Sequence, residues 1–182
     1  MTVQGIHHIT LVCRDAQRTV DFYAGVLGLR LVKKTVNFDD PGSAHRYWGV
    51  DGGEPGTIIT YFERDPARTR RVQMGAGQTH HFALGVPDEE TQLAYQERLR
   101  GAGLPVSEVK DRVYFKSIYA RDPDGHIVEL ATAGPGFLVD EDAANLGQQL
   151  MLPPWLESRR EQIEATLTPI TFPAPEGPIS SL

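Results

Sequence analysis

The chain has 182 residues and is 40% hydrophobic, enough to bury a core either as one domain or as two half-sized modules that share it. Eighteen basic against 24 acidic side chains give a formal charge of -6, and Arg68, Arg70 and Arg71 form the only tight basic group, which argues against nucleic acid and membranes as partners. The opening Met1-Thr2-Val3-Gln4-Gly5-Ile6 lacks a basic and an apolar leader region, no apolar run approaches the roughly 18 residues of a membrane span, and the single Cys13 permits no intrachain disulfide, so a cytoplasmic protein is expected.

A first strand is expected over residues 5–12, ending near Arg14, with Asp15 as a helix N-cap and Cys13 packed as a small apolar side chain. Val20, Tyr23, Ala24 and Leu27 then recur at helical spacing with Phe22 and Val26 beside them, and Gly28 closes the helix. Residues 29–38 read as a strand, Asp39-Asp40-Pro41-Gly42 as a turn, and residues 45–50 and 56–62 as two further strands. Residues 1–62 therefore read β-α-β-β-β. Residues 63–78 are polar and hold Pro66 and a set of arginines, as a linker does. The pattern restarts over 79–132, with a strand over 79–86, a helix over 88–102 closed by Gly103, and strands near 104–109, 113–120 and 125–131. Residues 133–182 form a different kind of tail. Gly134-Pro135-Gly136 breaks the last strand, one short helix is expected over 140–150 and another after Pro153-Pro154, and Pro-rich residues of little order follow from Thr168.

Gly5-Ile6-His7-His8-Ile9-Thr10-Leu11-Val12 is written again as Gln78-Thr79-His80-His81-Phe82-Ala83-Leu84-Gly85-Val86. His8 and His81 each stand seven residues before an aspartate, Asp15 and Asp88. Gly56-Thr57-Ile58-Ile59-Thr60-Tyr61 likewise aligns with Gly125-His126-Ile127-Val128-Glu129-Leu130, which sets Thr60 opposite Glu129. The duplication predicts an α+β fold of two tandem βαβββ modules, forming a curved mixed sheet around a metal-binding cup, with a C-terminal helical tail. Alternation along a strand turns one imidazole of each twin to either side of its sheet, so one from each copy can share the cup. Two imidazoles and a carboxylate suit a divalent first-row metal and leave positions open for substrate and dioxygen. The repeat selects Glu129 as the ligand beside His8 and His81. The alternatives are an ion pair of Glu129 with Arg112 or Arg121 and plain core packing of the histidines. Thr10 is in phase with His8, so its hydroxyl faces the site, whereas ideal pleating turns His7 and His80 away.

The modules resemble those of the vicinal oxygen chelate superfamily, which includes glyoxalase I, fosfomycin-resistance proteins and extradiol dioxygenases. Gly5-Ile-His-His-Ile-Thr, the stretch from Asp21-Phe-Tyr-Ala-Gly-Val-Leu-Gly-Leu-Arg to Asn37-Phe-Asp-Asp-Pro-Gly, and Gly134-Pro-Gly-Phe with Leu152-Pro-Pro-Trp-Leu are similar to the hydroquinone-type ring-cleaving dioxygenases. Those proteins usually carry four modules, and this chain resembles the first and last of them. The resemblance implies a metal held between these two modules by His8, His81 and Glu129, with supporting roles for His7, Thr10, His80, Arg112 and Tyr119. It implies Fe(II), or Mn(II) or another divalent ion, acting on a hydroquinone or catechol-like aromatic and dioxygen. Thr60 cannot supply the fourth, carboxylate ligand that glyoxalase I enzymes typically take from that strand. The other readings are a glyoxalase-like lyase, isomerase or thiol transferase, and a non-catalytic binder of small molecules. Whether the modules pair within one chain or across a homodimer is open at this point.

Overall fold

The computed structural model describes residues 3–70, 73 and 75–171. The expected α+β fold of two tandem βαβββ modules is the one observed, each module building its own mixed four-stranded sheet. In the first, β1 (His8–Cys13), β2 (Arg30–Asn37), β3 (Asp40–Gly49) and β4 (Ile58–Glu63) lie in the order β1-β4-β3-β2. The second repeats this as β5-β8-β7-β6, from β5 (Phe82–Val86), β6 (Lys110–Asp111), β7 (Lys116–Arg121) and β8 (Ile127–Thr132). In both sheets the first and last strands pair in parallel, Thr10 beside Thr60 and Ala83 beside Glu129. Gly56 and Gly125, at φ 89° and 100°, make the turns that launch β4 and β8, a conformation side chains rarely tolerate.

The sheets' inner faces are set by helices whose N-caps the sequence announces. Asp15 accepts a hydrogen bond from the Arg18 amide at 3.1 Å and opens α1 (Ala16–Val20); Asp88 does the same for Thr91 at 2.8 Å and opens α2 (Glu89–Gly101). The first helix departs from the uniform α-helix expected, widening into a π-helical turn over Asp21–Val26. The wider turn brings the consecutive Phe22 and Tyr23 both into the core, at 3% and 0% exposure, which a regular α-helix would splay apart. On α2, buried Gln92 donates through Nε2 to the carbonyls of Lys116 and Leu130, each at 2.8 Å, so an amide rather than an apolar side chain fastens the helix to its sheet.

Two local expectations are corrected. The β2–β3 turn falls at Phe38-Asp39, ahead of Asp40-Pro41-Gly42, because the Asn37 side chain accepts from the Asp39 amide at 3.1 Å and closes the chain there. Pro41 then sits in a register shift of the β2–β3 ladder, where its missing N–H disrupts no pairing with β4. The strand expected over 104–109 reduces to one bridge, Val106 to Ala120, followed by the short β6.

The modules meet through their helical sides. Tyr95 and Arg98 of α2 donate to the carbonyls of Leu27 and Gly25 at the end of the first helical segment, and buried side chains of both modules form one hydrophobic cluster. At the centre of this junction lies Asp122. Its carboxylate accepts from the hydroxyls of Tyr23 and Tyr61, both at 3.1 Å, from the amides of Asp124, Gly125 and His126, and faces His126 Nδ1 at 2.9 Å.

A second compact unit begins at Phe137. It holds 3-10 turns at Phe137–Val139 and Pro154–Arg159 and a helix, α3 (Arg160–Thr166), in which Arg160 bridges Glu157 and Glu164. The short helix expected over 140–150 is a run of turns instead. The Pro-rich end expected to be poorly ordered lies, from residue 172 on, outside the described residues.

Candidate metal centre

β8 is a central strand, with β5 on one side and β7 on the other, and it places Glu129 between Ala83 and Tyr119. Glu129 is 2% exposed, and a buried carboxylate needs partners. Its Oε1 accepts a short hydrogen bond from the Ser117 hydroxyl, and its Oε2 lies 2.8 Å from His81 Nε2. The ion pair with Arg112 or Arg121 weighed from sequence is not the arrangement found. Arg112 Nη2 donates to the Tyr119 hydroxyl at 3.1 Å, and Arg121 Nη1 donates to the Gly125 carbonyl at 2.7 Å.

The twin histidines behave alike in the two modules. His7 Nδ1 and His8 Nδ1 stand 2.9 Å apart, and His80 Nδ1 and His81 Nδ1 stand 2.7 Å apart. The pleating argument that turned His7 and His80 away does not apply, because both precede the regular strands, which start at His8 and Phe82. Each first histidine therefore turns back onto its neighbour through Nδ1. That contact leaves Nε2 of His8 and of His81 as the nitrogen available to a ligand.

Beside His81 opens a cavity of about 620 Å³, lined by second-module residues that include His80, His81, Ser107, Arg112, Tyr119 and Ile127. The Tyr119 ring stands edge-on to His81 with centroids 5.8 Å apart, and the Arg112 guanidinium carbon lies 5.7 Å from the Tyr119 centroid. His81, Glu129, Tyr119, Arg112 and His80 are thus brought together. His8, Thr10 and His7 stand on the first module, and among the described residues no group of three or more His, Cys, Asp or Glu assembles within the single chain.

The donor atoms present fit a metal ion. Ligand atoms about 2.1 Å from one ion and at right angles stand about 3 Å apart, close to the spacing of His81 Nε2 and Glu129 Oε2. With Oε1 occupied by Ser117, Oε2 is the oxygen left to bind.

Sequence reasoning passed over Ser117. The signal was there, since Ser117 is two residues before Tyr119 and so shares its face of β7. Replacing Ser117 by Ala should weaken divalent-metal affinity about tenfold, the usual cost of losing a partner that orients a ligand, with a competing fluorescent chelator as the measurement. An unchanged affinity would show that Glu129 orients itself.

Two four-stranded sheets of the same strand order, each entered through a pair of histidines, define a duplicated α+β domain. The chain belongs to the Glyoxalase/Bleomycin resistance protein/Dioxygenase superfamily, whose model matches residues 5–130. It is 29% identical to the Bacillus subtilis (strain 168) protein named "Putative ring-cleaving dioxygenase MhqO", covering 91% of this chain and 96% of that one. That alignment runs over 299 positions against 182 residues here, so it bridges a long stretch without a counterpart in this chain. The chlorohydroquinone/hydroquinone 1,2-dioxygenase of Sphingobium indicum is 39% identical over 125 residues, 67% of this chain and 38% of that protein. A glyoxylase/bleomycin resistance protein/dioxygenase domain from Frankia sp. EAN1pec superposes with a TM-score of 0.61 at 20% identity, over 72% of this chain and 98% of that one, and so speaks to the fold alone.

Proposed function

We propose that the protein is a metal-dependent dioxygenase that opens the ring of a hydroquinone or catechol-like substrate, using Fe(II) or, failing that, Mn(II), held by His8, His81 and Glu129. The observation that carries this reading is the convergence of His81 Nε2 and Glu129 Oε2 beside a cavity whose lining includes the hydrogen-bond donors Tyr119 and Arg112. When bound, such an ion supplies a positive centre that favours the ionised form of a phenol and a redox partner for dioxygen.

The chain's own residues account for the rest. Arg112 donates to the oxygen of Tyr119, which leaves the phenolic proton of Tyr119 free to be donated to a substrate oxygen in the cavity. The same guanidinium balances the negative charge that builds on an ionised ring. His80 fixes the plane of the His81 imidazole, while Val106 and Ile127 give the cavity an apolar wall against an aromatic face.

His8 enters the site from a second copy of the chain in this proposal. The modules of one chain meet through their helical sides, and His8 is exposed on the first module. A homodimer in which the partner's His8 reaches the His81–Glu129 pair completes a three-ligand set by symmetry, twice per dimer.

Anaerobically purified protein loaded with Fe(II) should consume dioxygen when a hydroquinone or catechol is added. No uptake across a panel of such rings, with iron demonstrably bound, would reject ring cleavage. Turnover of a hemithioacetal or an epoxide without dioxygen would assign the site to lyase or transferase chemistry instead.

A further inference from the structure

Thr60 occupies in the first module the place Glu129 holds in the second, and it is fully buried. Its hydroxyl donates to Thr10 Oγ1 at 3.0 Å. A hydroxyl has one proton, so toward its other neighbour, His45 Nε2 at 2.9 Å, Thr60 accepts. Nε2 of His45 therefore carries the proton. In a neutral imidazole Nδ1 then keeps its lone pair, and it accepts from the Tyr47 hydroxyl at 3.2 Å.

The ring has little freedom to do otherwise. His45 is buried and lies between Tyr47 and Phe62, both with centroids 4.2 Å away. Burial, and then the nearby His8 imidazole, hold its pKa below the usual value, so it is neutral at pH 7. The hydrogen bonds run one way across three strands, from Tyr47 to His45 to Thr60 to Thr10. The proton left at the end of the series is that of Thr10, which is exposed on the same face of β1 as His8.

We propose that His45, Thr60 and Tyr47 are positioning residues that fix Thr10 as a hydrogen-bond donor toward an oxygen of the substrate bound beside His8. The repeat makes the logic visible. At the position of His45 the second module has Ser117, which together with Glu129 presents an acceptor for a cation. The first module, on the same framework, presents a donor for an electron-rich oxygen. Naming that oxygen as the substrate's rests on the ring-cleavage reading; the polarity of the series does not.

Long-range proton–nitrogen NMR spectra of the metal-free protein report the tautomer of His45. The Nε2–H form is expected, and the Nδ1–H form overturns the proposal whether or not dioxygen is consumed. In turnover, His45→Leu and Thr10→Val should each lower kcat/KM about tenfold, and the double variant should be no worse than either, since both break one series. His45→Gln, whose amide nitrogen can replace Nε2 as donor to Thr60, should restore most of the loss. An additive double variant, or a His45→Gln no better than His45→Leu, overturns the proposal. Should the loaded protein prove inactive toward every ring tested, the same comparison is made on affinity for 4-nitrocatechol, read by absorbance.

Discussion

Replacing Glu129 by Ala should lower affinity for Fe(II) or Mn(II) by about a hundredfold or more while leaving the protein folded, because Glu129 is the only carboxylate in the proposed ligand set. Calorimetric titration with Mn(II) and metal content after purification are the measurements. The buried carboxylate contributes little net stability, since its desolvation cost opposes what it gains from Ser117 and His81. The expected shift in unfolding free energy is therefore small, about 1 kcal/mol in either direction. Lost metal with an unchanged melting curve identifies a ligand. Retained metal at wild-type affinity would show that the ion, if one binds, sits elsewhere.

Replacing Asp122 by Ala should have the opposite profile, a large loss of stability from a residue with no contact to the ligands. It removes the acceptor of the Tyr23 hydroxyl and of the Asp124 and His126 amides, each worth about 1–3 kcal/mol when left unpaired, while Tyr61 keeps its bond to Tyr23 and the Gly125 amide its bond to the residue-122 carbonyl. Relaxation recovers part of this, so a loss of at least about 4 kcal/mol is expected, a fall in Tm of about 10 °C for a chain of this size. Burial pushes the Asp122 carboxyl up, but bonds from the His126 ring and amide and from Tyr61 outweigh it, and the net direction is down. A folded pKa below the unfolded one means the contribution is complete above about pH 4 and is lost as pH falls through the lower, folded value. Denaturant titrations from pH 6 to pH 2 should show that acid-side decline in the wild type and a flatter limb in Asp122→Asn.

What the sequence made legible follows the repeat. The N-caps Asp15 and Asp88, the turn glycines Gly56 and Gly125 and the alignment of Thr60 with Glu129 are all local or periodic, and period and capping are what a single sequence encodes. The residues it hid depend on contacts far apart in the chain. Asp122 reads only as part of an Asp-Pro-Asp-Gly turn, because nothing near it announces that Tyr23, 99 positions away, donates to its carboxylate. His45 has no histidine at the matching position of the second module, and its role appears only once β3 and β4 are paired in register and Thr60 faces it. His7 and His80 escape the alternation of a pleated strand for a smaller reason, since they lie a residue or two before the strands begin.

The proposed metal site shared between two copies of the chain is tested most directly by complementation. His8→Ala and Glu129→Ala chains, each unable to bind metal or consume dioxygen alone, are unfolded together, refolded and loaded with Fe(II). Random pairing makes half of the dimers mixed, and each mixed dimer carries one doubly damaged and one intact site, so about a quarter of wild-type metal content and dioxygen uptake should return. No recovery, in a mixture whose chains demonstrably exchange, would contradict the shared site.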